Sequence, residues 1–315
     1  MVDHQLLEEL DQWRQDELYW PIIQRIEKIP QQERTYELNE RLITAYNNEE
    51  DYKAALEVLT ATAAEGEQDA RWHFLFGFAC YYLARYDQAL AAFTQADRLQ
   101  PENEQTEQWL EETRIRVDQT NKDRMRYEQD QQAWEQQYSN QPPFSNFDLP
   151  SFWGDQQKEH EPFSDTKVSA ALDEQLILSV EQKLGYKLPH SYLVLINSQN
   201  GGIPARTAFP LPYSEEDDIH NVAIDSILGM DLDDEDSIGE KSRFMIEDWG
   251  YPDLGIVVCD CPSAGHDVIM LDYRFCGPQG EPCVIHVNQE DDYRITYLAP
   301  HFEAFIRGLE VEDYI

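Results

Sequence analysis

Apolar residues recur every three to four positions through the first half of the chain, which predicts a series of amphipathic helices. Between about residues 34 and 118 this pattern also repeats on itself. Five apolar or small residues recur 34 positions later as similar residues. They are Leu42, Tyr46, Tyr52, Ala55 and Leu59, matched by Phe76, Cys80, Tyr86, Ala89 and Phe93. Self-similarity at one fixed period indicates a helical repeat domain.

The second repeat unit resembles the tetratricopeptide family. Gly77 and Ala96 stand where the family has small residues, and Ala89 and Phe93 where it has residues that pack between helices. Pro101 matches the proline that ends the family's repeat. The first unit departs from this pattern, because Ile43 replaces the glycine and Thr62 the later alanine. Two repeats bury little surface, so we expect flanking helices from residues 3–29, with a break at Pro21, and 103–138 to complete the core.

The second half of the chain mixes helical and strand patterns. A helix is predicted from about Ser169 to Leu184, a second from Pro189 to the Asn200-Gly201-Gly202 turn, and a last one over about 300–309. Four strands are predicted near residues 255–259, 267–273, 283–287 and 294–298. The intervening region 203–249 is acidic and predicted to be loop-rich, with at most short elements such as 222–228.

Several short motifs of this half, in their order, resemble the SUKH superfamily, in particular its Smi/Knr-type branch. They are Phe152-Trp153, Leu184-Gly185, Leu188-Pro189 with Tyr192, Asn200-Gly201-Gly202, Gly265 with Asp267, Leu271-Asp272-Tyr273, Glu281-Pro282, and Phe302, Phe305 and Leu309. One departure is His266, where the family often has glycine. The resemblance implies an α+β domain that recognises proteins, most often as a bacterial immunity protein that neutralises a toxin.

These patterns predict an α+β chain of two domains. A helical, tetratricopeptide-like domain is expected over 1–138 and a linker over 139–150, where Pro142-Pro143 interrupts the periodicity. A SUKH-like domain with a mainly antiparallel sheet packed by helices is expected over 151–315.

Charge narrows the possible partners. The 315 residues contain 24 Lys and Arg against 62 Asp and Glu, a net charge of −38 that is spread over both halves. Such a balance repels phosphate backbones and anionic membranes, so nucleic-acid and membrane binding are not expected, and it attracts basic proteins. The acidic amino-terminus and the lack of a long apolar run predict a cytoplasmic protein. An odd number of cysteines, five, predicts free thiols.

Catalytic and cofactor sites find little support in the sequence. His266, Asp267, Asp272 and His286 could form an acid–base site, but no nucleophile has a recognisable setting, so we expect no enzyme and no cofactor. A zinc site from Cys259, Cys261, Cys276, Cys283, His266 and His286 fits no standard spacing, and none is assigned. The Asn200-Gly201-Gly202 turn lacks the lysine of a phosphate-binding loop. Asp236 stands where a calcium loop needs glycine.

The candidate partner-binding residues lie between 213 and 251. Two acidic runs without a nearby Lys or Arg suit a basic partner, although a plain solvated loop is the alternative. They comprise Glu215, Glu216, Asp217 and Asp218, and Asp231, Asp233, Asp234, Glu235 and Asp236. Tyr213, Trp249 and Tyr251 are aromatic residues in polar surroundings, which are frequent binding hot spots and equally frequent core residues.

The sequence therefore predicts a non-catalytic immunity protein whose acidic face covers the active site of a basic toxin, for instance a nuclease. An adaptor that binds peptides through its helical repeats is the alternative. The oligomeric state is left open.

Overall fold

A computed structural model describes residues 4–138, 141–154, 173–211, 220–232 and 234–311. The chain forms two compact units, Met1–Lys122 and Asp123–Ile315. The first is helical, and the second combines sheets and helices. The predicted α+β chain with an all-α repeat domain first is therefore confirmed.

The first unit is built from paired helices. The helices are α1 (His4–Gln15), α2 (Tyr19–Glu27), α3 (Tyr36–Asn48), α4 (Tyr52–Ala61), the short α5 (Ala63–Gly66), α6 (Ala70–Tyr82) and α7 (Tyr86–Leu99), followed by α8 (Glu104–Tyr138), which continues into the second unit. Helices α6 and α7 begin 34 residues after α3 and α4, respectively. The sequence period is therefore the period of the helix pairs.

Gly77 explains how the second helix pair packs. Phe93 of α7 is fully buried, and a Cβ atom added to Gly77 would lie 2.9 Å from its ring. The rings of Phe74 and Trp109 contact the same phenyl group, with centroids 5.5 and 6.0 Å away. A glycine on α6 therefore lets α7 approach closely.

Replacing Gly77 by alanine is expected to lower the free energy of unfolding by about 1 kcal/mol. Overpacking costs about 1–3 kcal/mol, and the better helix propensity of alanine returns about 1 kcal/mol. Gly239→Ala is the matched control, because an added Cβ there meets nothing nearer than 3.8 Å. That variant should gain about 0.5–1 kcal/mol in urea denaturation. Equal effects of the two substitutions would show that contact with Phe93 is not what requires Gly77.

The prediction that Pro21 breaks the amino-terminal helices was wrong. Pro21 lies in the first turn of α2, where its missing amide hydrogen would have no helical acceptor. The break comes earlier, where Glu17 takes a φ of 57° between α1 and α2.

The core of the second unit is a five-stranded antiparallel sheet in the order β3-β4-β5-β6-β7, beside a two-stranded sheet of β1 and β2. The strands are β1 (Ala208–Pro210), β2 (Asn221–Ala223), β3 (Ser226–Ile227), β4 (Gly255–Asp260), β5 (Asp267–Asp272), β6 (Cys283–Asn288) and β7 (Arg294–Ala299). The helices are α9 (Glu174–Leu184), α10 (His190–Ser198), α11 (Ile238–Glu247) and α12 (Phe302–Gly308). All four predicted strands are present, each within one residue at either end.

Helix α11 was not predicted from the sequence. Ser237 precedes it, and its buried face carries Ile238, Ser242 and Met245. Ser242 weakens the apolar pattern, yet its hydroxyl accepts a hydrogen bond from the Val257 amide at 2.9 Å. Because this polar residue lies on the buried face and binds the neighbouring strand, the apolar pattern did not indicate a helix. Residues 203–249 therefore contain more regular structure than the sequence predicted.

The division between the units falls within α8, whereas the sequence predicts it after residue 138. In the second unit, Tyr127 of α8 donates a hydrogen bond to the Glu281 carbonyl at 2.9 Å, and Tyr297 donates one to Asp130 at 3.0 Å. The predicted linker also contains a packed residue. Phe144 is 4% exposed, and its amide donates to the Glu303 carboxylate at 2.7 Å. Polar side-chain contacts of this kind leave no periodic signal in the sequence.

Candidate functional site

The acidic segment, residues 231–236, follows a tightly held turn. Asn200 accepts a hydrogen bond from the Met230 amide and donates one to the Met230 carbonyl, each at 2.8 Å. Gly201 has a φ of 80°, and a Cβ there would lie 2.6 Å from the Gly229 nitrogen. The Asn200-Gly201-Gly202 motif therefore ends α10 and fixes the start of the acidic segment.

The same turn fixes the other end of the segment. The Ile238 amide, at the start of α11, donates to the Gly229 carbonyl at 2.8 Å. The Ser237 amide donates to the Asp234 carbonyl at 3.1 Å. Asp234, Glu235 and Asp236 are exposed, and Asp231 is half-buried. The two ends of the acidic segment are thus held together while most of its charges face solvent.

A lysine lies closer to this segment than the sequence indicated. Lys241, on the unpredicted helix α11, is 3.8 Å from Asp236 and 3.5 Å from Asp260. Burial raises the pKa of Asp260 from its ordinary value, although the nearby Lys241 ammonium acts in the opposite direction. The lysine therefore offsets part of the negative charge at the carboxy-terminal end of the segment.

The two described aromatic candidates differ. Tyr251 is 2% exposed and donates a hydrogen bond to the Gly265 carbonyl at 2.7 Å, so it belongs to the core and presents no ring face to a partner. Trp249 is half-buried between Phe244 and His266, at centroid distances of 6.3 and 5.9 Å. Phe244 is itself 47% exposed. Its helix was not predicted, so Phe244 was not among the candidate binding residues.

Half of the partner-binding residues predicted from the sequence lie outside the described residues. They are Tyr213, Glu215, Glu216, Asp217, Asp218 and Asp233.

The four acid–base candidates do not form one site. Asp272 is fully buried and bound to Arg274, with the Nη2 and Oδ2 atoms 2.7 Å apart. It also accepts a hydrogen bond from the Arg274 amide at 2.9 Å and so holds the backbone at this turn. His266 is exposed and lies 3.1 Å from Glu290. Only Asp267 and His286 meet, at 2.7 Å between Oδ2 and Nε2.

The cysteines are free thiols. Burial raises the pKa values of Cys259, Cys261 and Cys283 well above the ordinary one, so these thiols are protonated at neutral pH. A reactive cysteine needs the opposite shift, toward the thiolate. Cys261 nevertheless lies beside Asp267 and His286, with ligand atoms of the three residues within 4.8 Å of one another.

The comparisons with known proteins agree with the motifs of the second unit. Residues 174–306 match the SUKH_6 family model, described as SMI1-KNR4 cell-wall. The resemblance stated from the sequence is thereby confirmed for this region, which is similar to that family. Domains of this class and helical repeats both serve in protein interaction, which supports a protein partner.

Among solved structures, the first TPR domain of the human RPAP3 protein is similar to 37% of this chain. The match covers 93% of that chain at 16% identity, with a TM-score of 0.34. The assignment of tetratricopeptide-like repeats rests on the 34-residue spacing of the helix pairs. No curated protein matches the chain. In the described part of the chain, no helix has the length and apolar character needed to cross a membrane.

Proposed function

We propose that the chain is a cytoplasmic immunity protein that binds a cognate basic toxin and blocks its active site without any chemical step. The observation that carries this proposal is the match of residues 174–306 to the SUKH_6 family model. The net charge of −38 supports a basic partner, because opposite charges accelerate encounter and select among partners.

The acidic segment is the part of the described surface that best fits this role. Its exposed carboxylates provide long-range attraction, and its two closed ends limit the entropy lost on binding. Charge alone gives little specificity, so apolar anchors are also needed. Phe244, 47% exposed, and Leu232, 49% exposed, supply apolar surface on α11 and within the acidic segment.

The direct test is co-expression with a toxin domain encoded beside this protein. Immunity predicts that growth is restored and that the purified proteins form a one-to-one complex. No rescue, together with recovery of housekeeping proteins alone from native cells, would favour the adaptor.

Neutralising the acidic segment is expected to slow association with the toxin by about tenfold at low salt. The variant carries Asp234→Asn, Glu235→Gln and Asp236→Asn, and stopped-flow fluorescence measures the rate at several salt concentrations. The difference from the wild-type rate should shrink as salt rises, because the Debye length falls to about 8 Å at physiological ionic strength.

The control removes the same number of charges from exposed positions of α8, namely Glu107→Gln, Glu111→Gln and Glu128→Gln. We expect it to change the association rate less than about twofold, the ordinary scale for charges away from an interface. If both triple variants slow association equally, net charge alone steers the encounter and the acidic segment is not the interface.

A further inference from the structure

Three residues with metal-binding side chains meet at one end of the central sheet. In the pairing of β4 with β5, Cys259 lies opposite Ile269, so Cys261, two positions further, falls beside Asp267. In the pairing of β5 with β6, Ile269 lies opposite His286. Side chains two residues apart on a strand share a face. The register therefore places Cys261, Asp267 and His286 on one face of three adjacent strands.

The distances suit a metal ion. The candidate ligand atoms all lie within 4.8 Å of one another, and His286 Nε2 and Asp267 Oδ2 are 2.7 Å apart. Tetrahedral zinc with bonds of about 2.0–2.3 Å separates its ligands by about 3.3–3.8 Å. Small side-chain rotations would open the His286–Asp267 pair enough to admit the ion. The two side chains are 13% and 21% exposed, so solvent reaches them.

Asp267 carries a second observation that points to a ligand. Its Oδ1 atom is buried and has no partner in hydrogen-bond geometry among the described residues, although the Cys261 thiol and the Ser263 hydroxyl lie beside the carboxylate. Buried carboxylate oxygens are normally paired, because an unpaired one loses its hydration without compensation. A cation bound between Asp267, Cys261 and His286 would give this oxygen a partner.

We propose that Cys261, Asp267 and His286 form a zinc-binding site. Sulfur, imidazole and carboxylate ligands together favour zinc over calcium or magnesium, which prefer oxygen alone. Three protein ligands leave a fourth position for water. Binding replaces the Cys261 S–H bond with an S–Zn bond and releases the proton to solvent, so affinity rises with pH.

This site differs from the zinc sets that the sequence suggested. Cys283 pairs with Asp272 at the other end of the β5–β6 ladder, away from His286. His266 is paired with Glu290. The site also does not depend on the proposed toxin, since its test uses the purified chain alone.

The test is metal analysis of the full chain without an affinity tag, stripped with a chelator, dialysed against zinc chloride and freed of excess metal. The wild type should retain about one zinc ion per chain, and His286→Gln and Cys261→Ser should each weaken binding at least tenfold in a competition titration with a chromophoric chelator. His266→Gln and Cys276→Ser are the matched controls and should bind like the wild type.

Cobalt substitution supplies a second readout, which the wild type alone already gives. Cobalt bound through Cys261 should show a thiolate-to-metal charge-transfer band in the wild type and in both controls, and that band should disappear in Cys261→Ser. Wild-type zinc below about 0.1 per chain, or zinc retained equally in all variants, would overturn the proposal. Zinc binding without a thiolate band would also overturn it.

Discussion

Asp272→Ala is expected to lower the free energy of unfolding of the second unit by about 3–5 kcal/mol, the usual cost of removing one partner from a buried ion pair. The Asp272 side chain is fully buried and that of Arg274 is 16% exposed. The carboxylate accepts from the Arg274 amide at 2.9 Å and from its Nε and Nη2 atoms at 3.0 and 2.7 Å. Alanine would remove all of these acceptors while leaving the arginine in a largely desolvated place.

Asp291→Ala is the control for this experiment. Asp291 pairs with Arg294 at the same short distance of 2.7 Å, but the two side chains are 49% and 39% exposed. Water and salt screen such a pair, so its loss should cost less than about 1 kcal/mol. Urea denaturation monitored by circular dichroism measures both variants. Similar losses for the two would mean that burial does not give the Asp272–Arg274 pair its importance.

Lowering the pH from 7 to 4 is expected to lower the free energy of unfolding by about 3 kcal/mol through the protonation of His301 alone. Burial lowers the pKa of His301 from 6.5 to about 4. Between these two values the unfolded chain binds more protons than the folded chain, so stability is complete above pH 6.5 and falls as the pH decreases toward 4. Each unit of pKa difference is worth about 1.4 kcal/mol, which gives the stated total.

The surroundings of His301 explain why it stays neutral. Its Nδ1 atom accepts a hydrogen bond from the Ala304 amide at 3.2 Å and so caps α12, and its Nε2 atom is buried without a hydrogen-bond partner among the described residues. The ring of Trp134 packs edge-on at 4.4 Å. The nearby Glu303 carboxylate is paired with Arg307 at 2.8 Å.

His301→Asn is the appropriate comparison, because asparagine caps helices well and does not titrate in this range. The difference in unfolding free energy between the wild type and the variant should change by about 3 kcal/mol between pH 7 and pH 4. Subtracting the two curves cancels the contribution of the many carboxylates. Parallel curves would show that His301 has the same pKa in the folded and unfolded chains.

The elements with strong apolar patterns could be predicted from the sequence. Strands β4 and β5 are nearly continuous apolar runs, and β4, β5, β6 and β7 were each placed within one residue at each end. Helix α10 was recognised from Leu188, Tyr192, Leu195 and Ile196, all of which are at most 2% exposed. One detail differs, since Pro189 occupies the N-cap position just before this helix and not its first turn.

The features that could not be predicted from the sequence depend on contacts between residues that are distant along the chain. Helix α11 was missed because Ser242 faces the sheet, and the neutralisation of Asp236 by Lys241 was missed with it. The polar neighbours of Tyr251 in DWGYPD are compatible with an exposed or a buried side chain. Its hydrogen bond to the Gly265 carbonyl identifies it as a core residue. The meeting of Cys261, Asp267 and His286 required the strand register, which no spacing in the sequence reveals.

The two ends of the acidic segment are held together, which affects how the length and charge of this segment can vary. Because the Ile238 amide and the Gly229 carbonyl are hydrogen-bonded at 2.8 Å, residues can be inserted between them without moving α11 or the central sheet. Each doubling of the length of a flexible loop costs only about 0.6 kcal/mol. Residues 231–236 are therefore a position where length and charge can change freely, so that one scaffold could be matched to different partners.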